Sequence, residues 1–474
     1  MSGVCSRCSS DWRNKEGGLL AQVHIAPVES YNDYSGIKRF VHEAFDWRAG
    51  VAALLDNGDP GRLVVVKPNW IQQSHEFAPD VWEPLITHPA LVLAVVDCLA
   101  ERMDGRGTIV LCDAPHTYAD FEGILARGNL RARLDEVSAR WKDLRMEVVD
   151  LRREVWLTRE QVVIERRPNP PDPRGYVETG LGHNSLFYGH PGEGRYYGAD
   201  YDQRVVNAHH RGETQEYLLA GTPMHADLFI NLPKLKTHKK TGITCCLKNL
   251  VGINGDKNWL PHFVEGSPAN GGDEFPSESA VNTLERTLKR LGRRAALSVP
   301  GLGPWMFRKM RNAGMRVLGD SDQTVRNGNW SGNDTCWRMA LDLNRALLYA
   351  DSAGVWRDTP RPYLAIVDGV TGGERNGPLC PDPVHSQVLF GGGDPASVDA
   401  AACRLMGFDP ASVPLVAGAF ETHVWPVAPC ALNEVRVHDA RLDLEMPLAE
   451  VGEAVAGGFE PHFGWRGLNP ARKE

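Results

Sequence analysis

Apolar residues at the start of the interpretable region come in short β-branched runs and one long helical stretch. Residues 62–66, "RLVVV", form a strand that empties into "KPNW", where the proline stops it. Residues 87–103, "THPALVLAVVDCLAERM", have helical length and spacing, with Thr87 placed to cap the helix and Pro89 in its first turn. A second strand, "GTIVLCDAP" at 107–115, follows. Strand, helix, strand in this order predicts a βαβ unit with a parallel pair.

The pattern changes at about 140–225, where "MEVVDL", "EVWLT" and "VVIERR" predict short strands between Pro- and Gly-rich loops, a β/loop-rich insertion. Strand character resumes with "DLFINLPK" at 227 and again with "PYLAIVDGVTGGERNGP" at 362–378, which ends in a Gly-rich turn. A helical insertion is expected at about 277–350; its last helix, 334–351, starts at Asp334 and ends near Gly354. A later helix, 394–410, starts at Asp394 and Pro395, with Gly407 near its end. The fold class expected is α/β, a mostly parallel open sheet with helices on both faces. An N-terminal segment 1–60 and a C-terminal segment 411–474 flank a core at 61–410.

Composition narrows the function classes. The chain has 474 residues, and 52 Lys and Arg against 60 Asp and Glu give a net charge of −8. That balance argues against a broad nucleic-acid-binding face. The N-terminus lacks the apolar core of a signal peptide, and the run "ALVLAVVDCLA" is too short to span a bilayer, so a cytoplasmic protein without a membrane partner is expected. Ten cysteines without a secretory signal read as buried thiols. Cys5-x-x-Cys8 is one pair without a second, and no ferredoxin-type cysteine run occurs, so no iron–sulfur cluster of that type is expected.

Against this acidic background, positive charge gathers in "DLFINLPKLKTHKKTGITCCLKN". Lys67 ends one strand, and Lys234 and Lys236 end another with His238 beside them. Lysines fixed at strand ends repel one another, and burial disfavours each charge further, so an anion must offset them. A solvated or snorkelling surface is the competing explanation, and it suits Lys239 and Lys240. Asp113 follows one strand, Asp368 another, and Glu374 sits in the Gly-rich turn; these three are the candidate ligands for a hard divalent ion, Mg²⁺ or Mn²⁺. The loop 252–276 has the composition to wrap a phosphate or close as a lid, although neither a P-loop nor a dinucleotide fingerprint is present. Adjacent Cys245 and Cys246 would point to opposite sides of an extended chain and so would not share an ion.

The ordered motifs "VVVKPNW", "THPALVLAVVD", "IVLCDAP", "ADLFINLPKLKTHKKTGITCCLKNLVG", "AIVDGVTGGERNGP" and "GGDPASVDAAACRLMGFDP" resemble those of the bacterial and archaeal domain of unknown function family 362, over roughly 60–410. By position, Lys67, Asn69, Asp113, Lys234, Lys236, His238, Lys248, Asn249, Asp368, Asn376 and Asp399 fall in the family's motifs. Many relatives carry a ferredoxin-like domain whose cysteines this chain lacks. "NGDKNWLPH" and "NGNWSGNDTCWR" resemble a subgroup associated with polysaccharide gene clusters, which implies a phosphorylated or sugar-linked substrate.

Three functions are expected to compete. The first is an enzyme, a metal-dependent hydrolase or transferase, acting on a small anionic metabolite. In it Asp113, His238 and Asp368 are catalytic, and Lys67, Asn69, Lys234, Lys236, Lys248, Asn249 and Asn376 bind substrate. Asp113, Asp368 and Glu374 hold the metal. The second is a redox or metallocentre protein using Cys112, Cys245 and Cys246 or Cys5 and Cys8. The third is a non-catalytic binding module, with the basic stretch 285–318 the place for nucleic acid.

Overall fold

The structure, a computed structural model, describes residues 22–159, 162–198, 203–279 and 325–469. Cys5, Cys8 and the basic stretch expected at 285–318 lie outside the described residues.

One sheet of twelve strands organises the chain. Its strands are β1 (Gln22–Pro27), β2 (Leu63–Pro68), β3 (Gly107–Asp113), β4 (Leu144–Asp150), β5 (Leu228–Leu232), β6 (Lys234–His238), β7 (Gly242–Thr244), β8 (Tyr363–Asn376), β9 (Cys380–Val384), β10 (Val388–Gly392), β11 (Arg436–Asp439) and β12 (Leu444–Pro447). The order across the sheet is β12-β11-β1-β10-β8-β5-β2-β3-β4. The run β8-β5-β2-β3-β4 is parallel throughout, whereas β10 lies antiparallel to both β8 and β1. The sheet is therefore mostly parallel, and strands from both ends of the chain join it.

Parallel strands covered on both faces read as continuous apolar runs, and the two faces separate by residue parity. Val64, Val66, Ile109, Leu111 and Ile230 pack with the helices α1 (Tyr34–Asp46), α2 (Pro89–Arg102) and α3 (Leu130–Arg140). Val65, Val110, Phe229 and Val367 face the opposite way. They belong to the core that includes the short α4 (Cys246–Asn249), α5 (Cys336–Tyr349) and α6 (Pro395–Leu405).

Among the described residues the expected strands and helices are present, with five differences. "MEVVDL" is not part of the insertion: it is β4, the edge of the main sheet beside β3. "EVWLT" and "VVIERR" do form a separate hairpin, Glu154–Arg159 with Val162–Pro168. At α2 the cap is His88, whose Nδ1 accepts from Ala90 N–H at 3.1 Å, while the Thr87 hydroxyl donates to the Leu232 carbonyl. At α5 the Asn333 side chain accepts from Cys336 N–H at 2.8 Å, and Asp334 instead bonds Arg338.

The largest difference concerns "PKLKTH". It is a strand, β6, parallel to the distal half of β8 and antiparallel to β7. Pro233 separates it from β5, and the register against β8 shifts between Lys234 and Lys236. β8 runs unbroken through the glycines that looked like a turn, so Asp368 sits inside the strand. There Lys234 Nζ lies 2.9 Å from Asp368 Oδ2, both side chains fully buried. Tyr31 O–H and the His88 backbone N–H each donate to the same carboxylate at 2.8 Å. This cluster ties the segment before α1, the start of α2, β6 and β8 together.

Removing one partner of a fully buried ion pair strands the other charge. Asp368→Ala is therefore expected to destabilise the fold by about 3–5 kcal/mol in urea unfolding.

Candidate functional site

At the carboxyl ends of β2 and β3 the backbone leaves the sheet and sets two charged side chains side by side, as open α/β sheets place ligand sites. Lys67 Nζ is 2.8 Å from Asp113 Oδ1, with both side chains nearly inaccessible. Asp113 Oδ2 accepts from Trp70 N–H at 2.8 Å, and Lys67 also donates to the Pro68 carbonyl and to Asn249 Oδ1. A Cβ at Gly252 would lie 2.0 Å from Asp113 Oδ1 and 2.6 Å from Lys67 Nζ, so the backbone of the loop after α4 seals the pair.

Asn249 is the hub of this floor. Its Oδ1 accepts from Lys67 and from Asn69 Nδ2, and its Nδ2 donates to Asn231 Oδ1 and to the Lys67 carbonyl. Asn69 Oδ1 in turn accepts from Lys236 Nζ at 3.0 Å. Asp399, from α6, accepts from the N–H groups of Cys246 and Leu247 at 2.7 and 3.1 Å, fixing the first turn of α4, which carries Lys248 and Asn249. Burial pushes the Asp399 carboxyl up to about 7.

Above this floor opens a cavity of about 240 Å³. Lys236, Lys239, Lys240, Lys248 and Lys257 line it, with His116, His238 and His262, and Asp113 is the carboxylate in its wall. Among the described residues, none of these five lysines makes an ion pair with a carboxylate. Lys236 donates to Asn69 and to the Leu85 carbonyl, Lys257 to the Val251 carbonyl, and Lys240 to the Asn327 carbonyl. Burial holds the Lys236 ammonium well below its usual range, with Lys234 and Lys67 adding repulsion. Burial likewise pulls Lys257 down to about 7, against the pull of Asp113, and Lys240 down to about 8.

The two central imidazoles are neutral and complementary. His238 Nδ1 accepts from Lys240 N–H at 3.1 Å, which places its proton on Nε2. His262 Nδ1 bonds the Leu260 carbonyl at 2.8 Å, which places the proton on Nδ1 and leaves Nε2 as an acceptor. Burial and the nearby Lys248 hold His238 well below the usual histidine range and His262 at about 3.

Of the residues expected to form a site, the structure brings together Lys67, Asn69, Asp113, Lys236, His238, Lys248 and Asn249. Lys234 and Asp368 satisfy each other away from the cavity, and Asn376 pairs with Cys380 in the hairpin between β8 and β9. Glu374 accepts from Glu460 N–H at 2.7 Å. Asp113, Asp368 and Glu374 therefore have three separate sets of partners, and this donor set does not fit a shared Mg²⁺ or Mn²⁺ ion. The thiols depart from expectation in the other direction. The backbone turns from β7 into α4 at Cys245, bringing the Cys245 and Cys246 sulfurs to 3.9 Å with Asp399 beside them. Burial raises both thiols, Cys246 to about 11.

His116, Lys257 and His262 are additional lining residues. His116 follows Asp113 in the turn after β3, a strand-end position that makes it a natural candidate. Lys257 and His262 come from the Gly- and Asn-rich loop after α4, whose composition marks a loop but not which side chains turn inward.

A lysine-rich, imidazole-bearing cavity at the carboxyl ends of a doubly covered parallel sheet defines an α/β protein with a cationic cavity. No helix among the described residues is long and apolar enough to cross a membrane. Residues 172–404 match the family described as Domain of unknown function (DUF362). The matched region contains β5–β10 and α4–α6 and contributes Lys236, His238, Lys248, Lys257 and His262; Lys67 and Asp113 come from the preceding βαβ unit. A search of curated proteins gave no match.

Because Gly252 presses on the Lys67–Asp113 pair, Gly252→Ala forces the loop or the pair to move. The expected loss is about 1–3 kcal/mol of stability, read as a lower midpoint in urea at unchanged slope.

Proposed function

We propose that the protein is an enzyme that binds a small anionic, phosphorylated metabolite in the cavity beside Lys236, Lys248 and Lys257. The observation that carries this reading is the convergence of five lysines on one cavity with no carboxylate ion-paired to them among the described residues, in a chain that is acidic overall. Such a cluster is destabilising when empty and becomes favourable when an anion replaces the missing counter-charges. Lys248 is 8 % exposed and has no hydrogen-bond or ion-pair partner among the described residues, so its ammonium is the group best placed to meet a ligand.

In this reading the neutral imidazoles divide the hydrogen bonding: His262 Nε2 accepts a hydrogen bond from the ligand or from a water beside it, and His238 Nε2–H donates one. The lysines stabilise negative charge that develops between them, a role that preorganised donors fill without reorganising during the reaction. Asp113 does not serve as the base: its oxygens are taken by Lys67 and the Trp70 amide. It holds Lys67 and the floor in place.

The reading is tested by calorimetric titration with inorganic phosphate and diphosphate. Wild-type protein is expected to bind, and Lys248→Ala to bind about tenfold or more weakly with its unfolding midpoint unchanged. Equal affinity in the variant would remove this cavity as the anion site.

The same titration has a pH signature. Lys257 faces Asp113, Lys67, Lys248 and Arg152, and Lys240 faces Asp273, Cys336, Lys239 and Lys248, with His116, His238 and His262 neutral around them. An anion raises both lysine pKa values, so binding takes up protons where the free lysines are neutral. Affinity is expected to be highest below pH 7 and to fall as pH rises through 7 to 8. Titration in buffers of different ionisation enthalpy measures the uptake directly.

A further inference from the structure

We infer that the ligand of this cavity is a phosphate ester whose organic part is apolar, an aryl or short alkyl group, and not a sugar phosphate. This rests on the anion reading above and concerns the half of the cavity that the lysines do not cover.

That half is built from Ile71, Pro115, Pro378 and Leu379, with the face of His116. These residues come from three separate loops that hydrogen bonds draw into one wall. His116 N–H donates to the Ile71 carbonyl at 2.9 Å, and Gln72 Nε2 donates to the Leu379 carbonyl at 3.1 Å. The Tyr118 ring lies against His116 with centroids 4.0 Å apart and is itself 37 % exposed, so the wall continues outward as aromatic surface. Burial, with Lys257 and Lys239 nearby, holds His116 at about 3, which keeps its ring neutral at physiological pH.

A sugar needs several hydrogen-bond acceptors for its hydroxyl protons; each carboxylate and carboxamide oxygen here already accepts from a protein donor. Among the described lining residues His116 Nδ1 and Thr117 Oγ1 are the buried polar atoms without a partner, too few for a sugar's hydroxyl groups. Asp113 is bound by Lys67 and Trp70, Asn69 Oδ1 by Lys236, and Asn249 Oδ1 by both Lys67 and Asn69. Burying hydroxyl groups against Ile71, Pro378 and Leu379 would leave them unpaired, whereas an apolar group there gains from leaving water. At about 240 Å³ the cavity falls just below the roughly 300 Å³ lower end of drug-sized sites, which suits a small ester.

The test compares inorganic phosphate, phenyl phosphate and glucose 1-phosphate by calorimetry on the full chain. Phenyl phosphate is expected to bind about tenfold or more tightly than either of the others. Leu379→Asn should reduce that advantage to threefold or less, on the order of the partial loss of one apolar contact, while leaving inorganic phosphate affinity unchanged. Glucose 1-phosphate binding as tightly as phenyl phosphate, or a preference for phenyl phosphate that survives Leu379→Asn intact, would overturn the inference and leave the anion site standing. Absence of binding by all three would overturn the anion reading itself.

Discussion

The ion pair between Lys67 and Asp113 is the constraint from which the rest of the pocket is built. It joins the ends of β2 and β3, two strands that a 14-residue helix separates in sequence. A buried pair of this kind contributes little net stability unless its remaining hydrogen-bonding capacity is filled. Here Trp70 N–H, the Pro68 carbonyl and Asn249 fill it. Asn249 then carries the order outward, to Asn231 on one side and through Asn69 to Lys236 on the other. Lys236, Lys240 and Lys257 are thus held by neutral oxygens, which orient an ammonium without cancelling its charge.

Two lysines two residues apart on β6 show how much remote partners decide. Lys234 meets Asp368 and becomes part of the frame. Lys236, past the register shift against β8, meets Asn69 and a carbonyl and becomes part of the cavity. The irregularity at this point separates a structural cation from a cavity-facing one on the same short strand.

Much of the sheet was legible because its signals are local. The β-branched runs at β2 and β3, the apolar helix between them, and the Asp-Pro start of α6 each announce themselves within a few residues. β6 was not legible, because "KLKTH" is polar by composition and its two lysines find their partners more than a hundred positions away. β8 was mistaken for a strand ending at Asp368 because glycines usually mark turns; in this strand they make room instead. A Cβ at Gly372 would lie 2.8 Å from Phe459, and one at Gly373 would lie 2.8 Å from Pro381 and 3.0 Å from the Pro84 carbonyl. The candidate pocket was half legible: the strand-end rule located Lys67, Asp113 and the β6 charges, while the inward turn of Lys257 and His262 depends on loop geometry that composition does not encode.

The grip of Asp399 on the first turn of α4 has a consequence for motion. Its two hydrogen bonds reach across 153 and 152 residues of sequence, from the buried start of α6 to the backbone that presents Lys248. The backbone that carries Lys248 is thus tied into the central core, where local opening is least favourable. An anion bound as proposed above would therefore meet a cavity already formed and pay little to order it.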